Sequence, residues 1–150
     1  MNAENYTILL VEDDPNDVLL IKRAFRKADL ANPIQVVEDG ERALDYLAGK
    51  GEFADRERYP HPVLVLLDLK LPKSSGFEVL AWIRRHPGMK RLPVIVLTSS
   101  QEISDINRAY ELGANSYLVK PVNFDALLEM VRALNLYWMV LNVNLGVSDE

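Results

Sequence analysis

The chain has 150 residues, 49% hydrophobic and 26% charged, with 17 basic and 22 acidic side chains, a net charge of −5 and no cysteine. That length suits one domain burying roughly 70% of the surface of its unfolded chain, and the missing thiols exclude disulfides, thiolate zinc sites and cysteine nucleophiles. The acidic balance argues against unaided binding to a nucleic acid backbone, which needs clustered Lys and Arg.

Two kinds of segment alternate along the chain. Short apolar runs rich in β-branched residues occur at Tyr6–Val11, Ile34–Val37, Val63–Leu67, Val94–Leu97 and Ser116–Val119. The first is followed by Asp14-Pro15-Asn16-Asp17, where Asp14 suits a helix cap, Pro15 the first helical position and Asp17 the acidic first turn. Val18, Ile21, Phe25 and Ala28 then fall on one helical face. Gly49–Pro62 is long for a connection between a helix and a strand and is expected to be a solvated excursion with no direct part in chemistry. Ser75-Gly76-Phe77-Glu78 and Ser99-Ser100-Gln101-Glu102 both have the form of capping boxes, and Gly113 stands where a left-handed stop would end the fourth helix. After the fifth run, Leu127, Val131 and Leu134 repeat at helical spacing. Strands that are apolar throughout are covered on both faces, so five such strand–helix units predict a doubly wound α/β domain with a five-stranded parallel sheet and helices on both faces.

In open parallel sheets ligands bind beyond the carboxyl ends of the strands. Here the first strand runs into Glu12-Asp13-Asp14, the third into Asp68, the fourth into Thr98-Ser99 and the fifth into Lys120-Pro121. Carboxylates facing one small volume repel unless a cation joins them. Oxygen-only donors favour a hard ion such as Mg²⁺, which keeps waters and bridges to phosphate oxygens. Lys120 adds a second positive charge and Thr98 a short hydroxyl donor. Together they make a pocket for a phosphoryl group at Asp68, whose carboxylate can attack phosphorus and hold it covalently. Lys120-Pro121 is open to a cis peptide, which would fix the strand-end turn and aim the lysine inward. His61 and His86 lie in Pro-flanked polar loops and are assigned no catalytic part. The phosphate-loop, dinucleotide and zinc-protease motifs GxxxxGK[ST], GxGxxG and HExxH are all missing.

The segments ILLVEDDPND, LLDLKLPKSSG, VIVLTSS and LGANSYLVKPV, spread from Tyr6 to about Leu136, resemble the receiver domains of two-component response regulators. The resemblance implies a flavodoxin-like sheet of strand order 2-1-3-4-5 and a receiver domain over residues 1–136. It also implies that Asp68 is the phosphoacceptor and that Glu12 and Asp13 position Mg²⁺, with Asp68 and the backbone carbonyl of Lys70 completing the protein ligands. Thr98 would be the switch hydroxyl, Tyr117 the switch aromatic and Lys120 the phosphate-binding lysine, with Pro72 and Gly76 shaping the turn after the acceptor. Lys70 and Ser100 stand at positions that vary in the family and tune dephosphorylation. The function implied is that of a phosphoacceptor signalling protein, which catalyses only its own phosphorylation and dephosphorylation. NPIQVVEDGERALDYL, the GEFADR loop and the aromatic LYW are similar to the stand-alone regulators paired with bacterial and cyanobacterial phytochrome kinases. A sensor histidine kinase is thus the expected donor, with a downstream protein as the expected target.

Tyr137–Val147 is too apolar for a disordered tail. Leu141, Val143 and Leu145 alternate as in a half-buried strand, while Leu134, Trp138, Leu141 and Leu145 fit helical spacing, and both readings stand open. Residues 137–150 are expected to form an extension that crosses to a second copy in a symmetric homodimer. No apolar run reaches the roughly 20 residues of a membrane span, and Met1-Asn2-Ala3-Glu4-Asn5 is too polar for a signal peptide, so a cytoplasmic protein is expected. No pair of DNA-binding helices follows residue 136, so no direct contact with nucleic acid is expected. A phosphatase of the haloacid dehalogenase type also uses an Asp nucleophile, but it wants a second Asp two residues on, where this chain has Lys70. A docking module without phosphorylation would not need both Asp68 and Lys120 intact. A flavin-binding domain would need a Ser/Thr/Gly-rich loop after the first strand, which is missing.

Overall fold

A computed structural model describes residues 6–121 and 123–134. Apolar runs become five strands: β1 (Ile8–Val11), β2 (Ile34–Val37), β3 (Leu64–Leu67), β4 (Val94–Thr98) and β5 (Ser116–Val119). They pair in parallel in the order β2-β1-β3-β4-β5. β1, β3 and β4 are buried along their whole length, and the edge strands β2 and β5 only in part. The continuous apolar runs therefore mark the three central strands most faithfully, because only these have a neighbour on each side as well as helices on each face.

Alternate residues of each central strand serve opposite cores. Ile8, Leu10, Leu64, Leu66, Ile95 and Leu97 meet α1 (Pro15–Lys27) and α5 (Phe124–Leu134), through Ile21, Ala24, Phe25, Leu127, Val131 and Leu134. Leu9, Val11, Val65, Leu67, Val94 and Val96 meet α2 (Gly40–Ala48), α3 (Gly76–Arg85) and α4 (Ile103–Glu111). The helical face predicted from Val18 to Ala28 and that predicted from Leu127 to Leu134 are the faces that pack, with Ala28 standing just past the end of α1 as its cap residue.

Most helix ends follow the sequence signals. Asp14 caps α1, accepting from the Asn16 amide at 2.9 Å, with Pro15 at the first position. Ser75 caps α3, accepting from the Glu78 amide at 3.3 Å. Gly113, at φ +101°, closes α4 as expected. The second capping box is not formed. α4 starts after Glu102, which makes no side-chain cap, and Ser100 rather than Ser99 carries the local bonds, accepting from the Glu102 amide and donating to Asp105 at 2.6 Å. A hydroxyl that can donate to a carboxylate is drawn away from the helix amides.

Two further expectations are corrected. The excursion Gly49–Pro62 is not simply solvated: its short 3-10 turn Gly51–Ala54 buries Phe53 against Tyr46 and Tyr59. Arg56 donates to the carbonyls of Tyr46 and Leu47 at the end of α2, so the loop is a plug that satisfies exposed helix acceptors. The peptide between Lys120 and Pro121 is trans, as there is no cis bond among the described residues. Lys120 is aimed instead by β5 itself, whose pairing with β4 extends to a bond from the Lys120 amide to the Thr98 carbonyl at 2.8 Å. Residues 137–150, expected to form the dimerising extension, lie outside the described residues.

Candidate phosphoryl and metal site

All five strands run the same way, so their carboxyl ends share one edge. The chain leaves β1 toward β2 and returns through β3 on the other side, which opens a crevice between the ends of β1 and β3. Val11 and Leu67 are register partners there. The next residues, Glu12-Asp13 and Asp68, consequently face one another, and the Asp68 amide donates to the Val11 carbonyl at 3.1 Å. Carboxylate oxygens of Glu12, Asp13 and Asp68 all lie within 4.8 Å of one another. Glu12 is 2% and Asp68 6% exposed, while Asp13 reaches solvent.

Thr98 ends β4 and Lys120 follows β5, so the pairing of Thr98 with Val119 sets the hydroxyl and the ammonium on the same edge. The Lys120 ammonium meets Glu12 at 2.5 Å, Asp17 at 2.8 Å and Asp68 at 3.1 Å. Burial alone would lower the lysine's pKa. Hydrogen bonds to Asp17 and Glu12 and the charge of Asp68 outweigh it and hold the group above the ordinary lysine value. Burial pushes Glu12 up to about 7, against the opposing pull of Lys120 and of the Asp14 amide that hydrogen-bonds to it.

Thr98 is fully buried and its Oγ1 has no hydrogen-bond partner among the described residues. A buried hydroxyl left unpaired is costly and calls for an acceptor that arrives from outside. The carboxylate trio supplies hard oxygen donors of the sort that bind Mg²⁺ or Mn²⁺. Donors and acceptors alike therefore fit a divalent cation together with an anion.

The remaining predicted residues lie around this centre. The Lys70 amide donates to Asp68 Oδ1 at 3.2 Å, while its side chain points to Asp105 of α4 at 3.2 Å. Tyr117 does not reach the carboxylates: its hydroxyl donates to the Ser100 carbonyl at 2.9 Å, and burial raises its pKa. His86 stacks on Trp82 at the far end of α3, away from the site. Asp17 is the residue that sequence reasoning passed over, because an acid in a first helical turn is already explained by the helix dipole. The available signal was topological. α1 starts directly after β1, so its first turn sits at the same edge as the strand-end acids.

Residues 8–132 match the response regulator receiver domain family, and the chain belongs to it. Among its relatives, response regulator Rcp1 of Synechocystis is 40% identical over 132 residues, 88% of each chain. The probable methanogenesis regulatory protein FilR2 of Methanothrix harundinacea is 41% identical over 150 residues, covering 97% of this chain and 92% of that one. The structure of the Mn²⁺-bound form of Rcp1 superposes with a TM-score of 0.82 at 38% identity, over 93% of this chain and 98% of that one. That of the phosphorylated cyanobacterial phytochrome response regulator RcpA gives 0.85 at 37% identity, over 93% and 97%.

Proposed function

We propose that this protein is a single-domain response regulator that accepts a phosphoryl group on Asp68 from a sensor histidine kinase and signals through a changed protein-interaction surface. One observation carries the reading: an acidic trio with a lysine 3.1 Å from Asp68 and a fully buried hydroxyl that lacks a partner, all at the switch point of the sheet. Glu12, Asp13, Asp68 and the Lys70 carbonyl would hold Mg²⁺, and bound there the ion would neutralise charge on the phosphoryl oxygens.

The chain's own part follows from its groups. An Asp68 carboxylate oxygen attacks phosphorus as the bond to the donor's nitrogen breaks, and the resulting acyl phosphate is held by Lys120. Thr98 then has the acceptor it lacks. Its movement leaves room for Tyr117 to give up the Ser100 carbonyl and turn inward, which reshapes the face of α4, β5 and α5. Similarity to RcpA, a cyanobacterial phytochrome response regulator, supports a phytochrome-type kinase as the donor. No helix among the described residues is long and apolar enough to cross a membrane, in keeping with action in the cytoplasm.

Asp68→Asn is expected to abolish labelling by acetyl phosphate with Mg²⁺; full labelling of that variant would remove Asp68 from the role. A homodimer built through residues 137–150 belongs to the same proposal. Cutting the chain after Val140 should yield monomers by light scattering, and an unchanged dimer would defeat the arm.

A further inference from the structure

An ammonium has three N–H donors. Those of Lys120 have three carboxylates in reach: Glu12 at 2.5 Å, Asp17 at 2.8 Å and Asp68 at 3.1 Å. The lysine is thus saturated, and a phosphoryl oxygen gains a donor from it only by displacing one of the three.

Two of the three have a use of their own in the reading above, on which this inference rests. Asp68 becomes the phosphorylated group, its attacking oxygen turned into a bridging atom with no charge of its own. Glu12 belongs to the acidic trio that suits a cation. Asp17 has neither role. It sits in the first turn of α1, and its carboxylate pairs with the lysine. The contact is not a loose surface pair, because the Lys120 side chain is only 17% exposed and that of Asp17 30%. Beside it, Asp17, Ile21, Leu97, Lys120 and Leu127 line a cavity of about 30 Å³, so apolar walls limit the screening of the pair by water.

We propose that Asp17 is a positioning residue that competes with the phosphoryl group for Lys120 and so limits how tightly this site holds it. The cause is its fixed negative charge. A phosphoryl group or its analogue meets a lysine already shared with an anion that neither the metal nor the acceptor removes. A role in mere packing predicts the opposite sign, since loosening α1 or the lysine would weaken binding.

The test is calorimetric titration of the full chain with beryllofluoride at saturating Mg²⁺. Asp17→Asn, which keeps the shape and an acceptor but not the charge, should bind about five- to tenfold tighter than the parent. Asp17→Glu should bring the affinity back toward the parental value. The gain in Asp17→Asn should shrink as salt is raised, as expected for a charge effect between partly exposed groups. Equal or weaker binding by Asp17→Asn, or a gain that ignores salt, would overturn the proposal. Asp68→Asn serves as the control. If it binds beryllofluoride as the parent does, the reading of the whole site falls; if it does not bind and Asp17→Asn matches the parent, only the role of Asp17 falls.

Discussion

Two partly buried cations stand at opposite ends of the sheet, and they are treated in opposite ways. At the carboxyl edge, Lys120 is surrounded by carboxylates and held above its ordinary pKa. Near the other edge, Arg84 at the end of α3 donates, among the described residues, to neutral groups: the carbonyls of Gly113, Lys90 and Leu92 at 2.9, 3.1 and 2.7 Å and the Asn115 side chain at 2.8 Å. Burial lowers its pKa, and no counter-charge among the described residues reverses the effect. Arg84 closes the ends of α3, α4 and β4 into one clasp in which each donor named has an acceptor. Lys120 gathers more negative charge than it can neutralise, and beside it the Thr98 hydroxyl has no partner among the described residues. A satisfied cation holds a fold together; an overdrawn one marks the place where a ligand is wanted.

Exchanging the two roles by mutation should break the molecule in different ways. Lys120→Gln is expected to weaken beryllofluoride binding in Mg²⁺ by about 10- to 100-fold, the worth of a charge-assisted hydrogen bond, with the circular dichroism of the parent retained. Binding within threefold of the parent would mean that the lysine is not a phosphoryl ligand. Arg84→Ala should do the reverse, costing about 2–3 kcal/mol in urea unfolding, because three carbonyls and Asn115 lose a donor together. Its beryllofluoride affinity should stay at the parental value. If Arg84→Ala lost affinity as Lys120→Gln does, the two ends would not be separable.

Much of the fold was legible because its signals are local. Continuous apolar runs, Asp14 before Pro15 and Ser75 before Glu78 each depend on a few neighbouring residues, and all reappear in the structure. The strand-end residues of the site could be named for the same reason, since a parallel sheet sends all of its carboxyl ends to one edge. Where the structure departs from expectation, the contact is one that no capping or periodicity rule covers: Asp105, five residues on, takes the Ser100 hydroxyl, and Tyr46 and Tyr59 close over Phe53. Asp17 escaped notice because a sufficient local explanation hid a partner 103 residues away.

Helix α2 begins with its Gly40 and Glu41 amides donating to the carbonyls of Pro72 and Lys73, in the loop just past Asp68. The approach is so close that any Cβ at Gly40 would collide with the Ser74 carbonyl. At its other end the same helix is stoppered by Arg56 and the rings of Phe53 and Tyr59. A single strut thus runs from that outlying aromatic stopper to the loop beside Asp68. The segment between α2 and β3 is the abutment against which that loop is braced, so its packing and the shape of the carboxyl edge are mechanically joined through one helix.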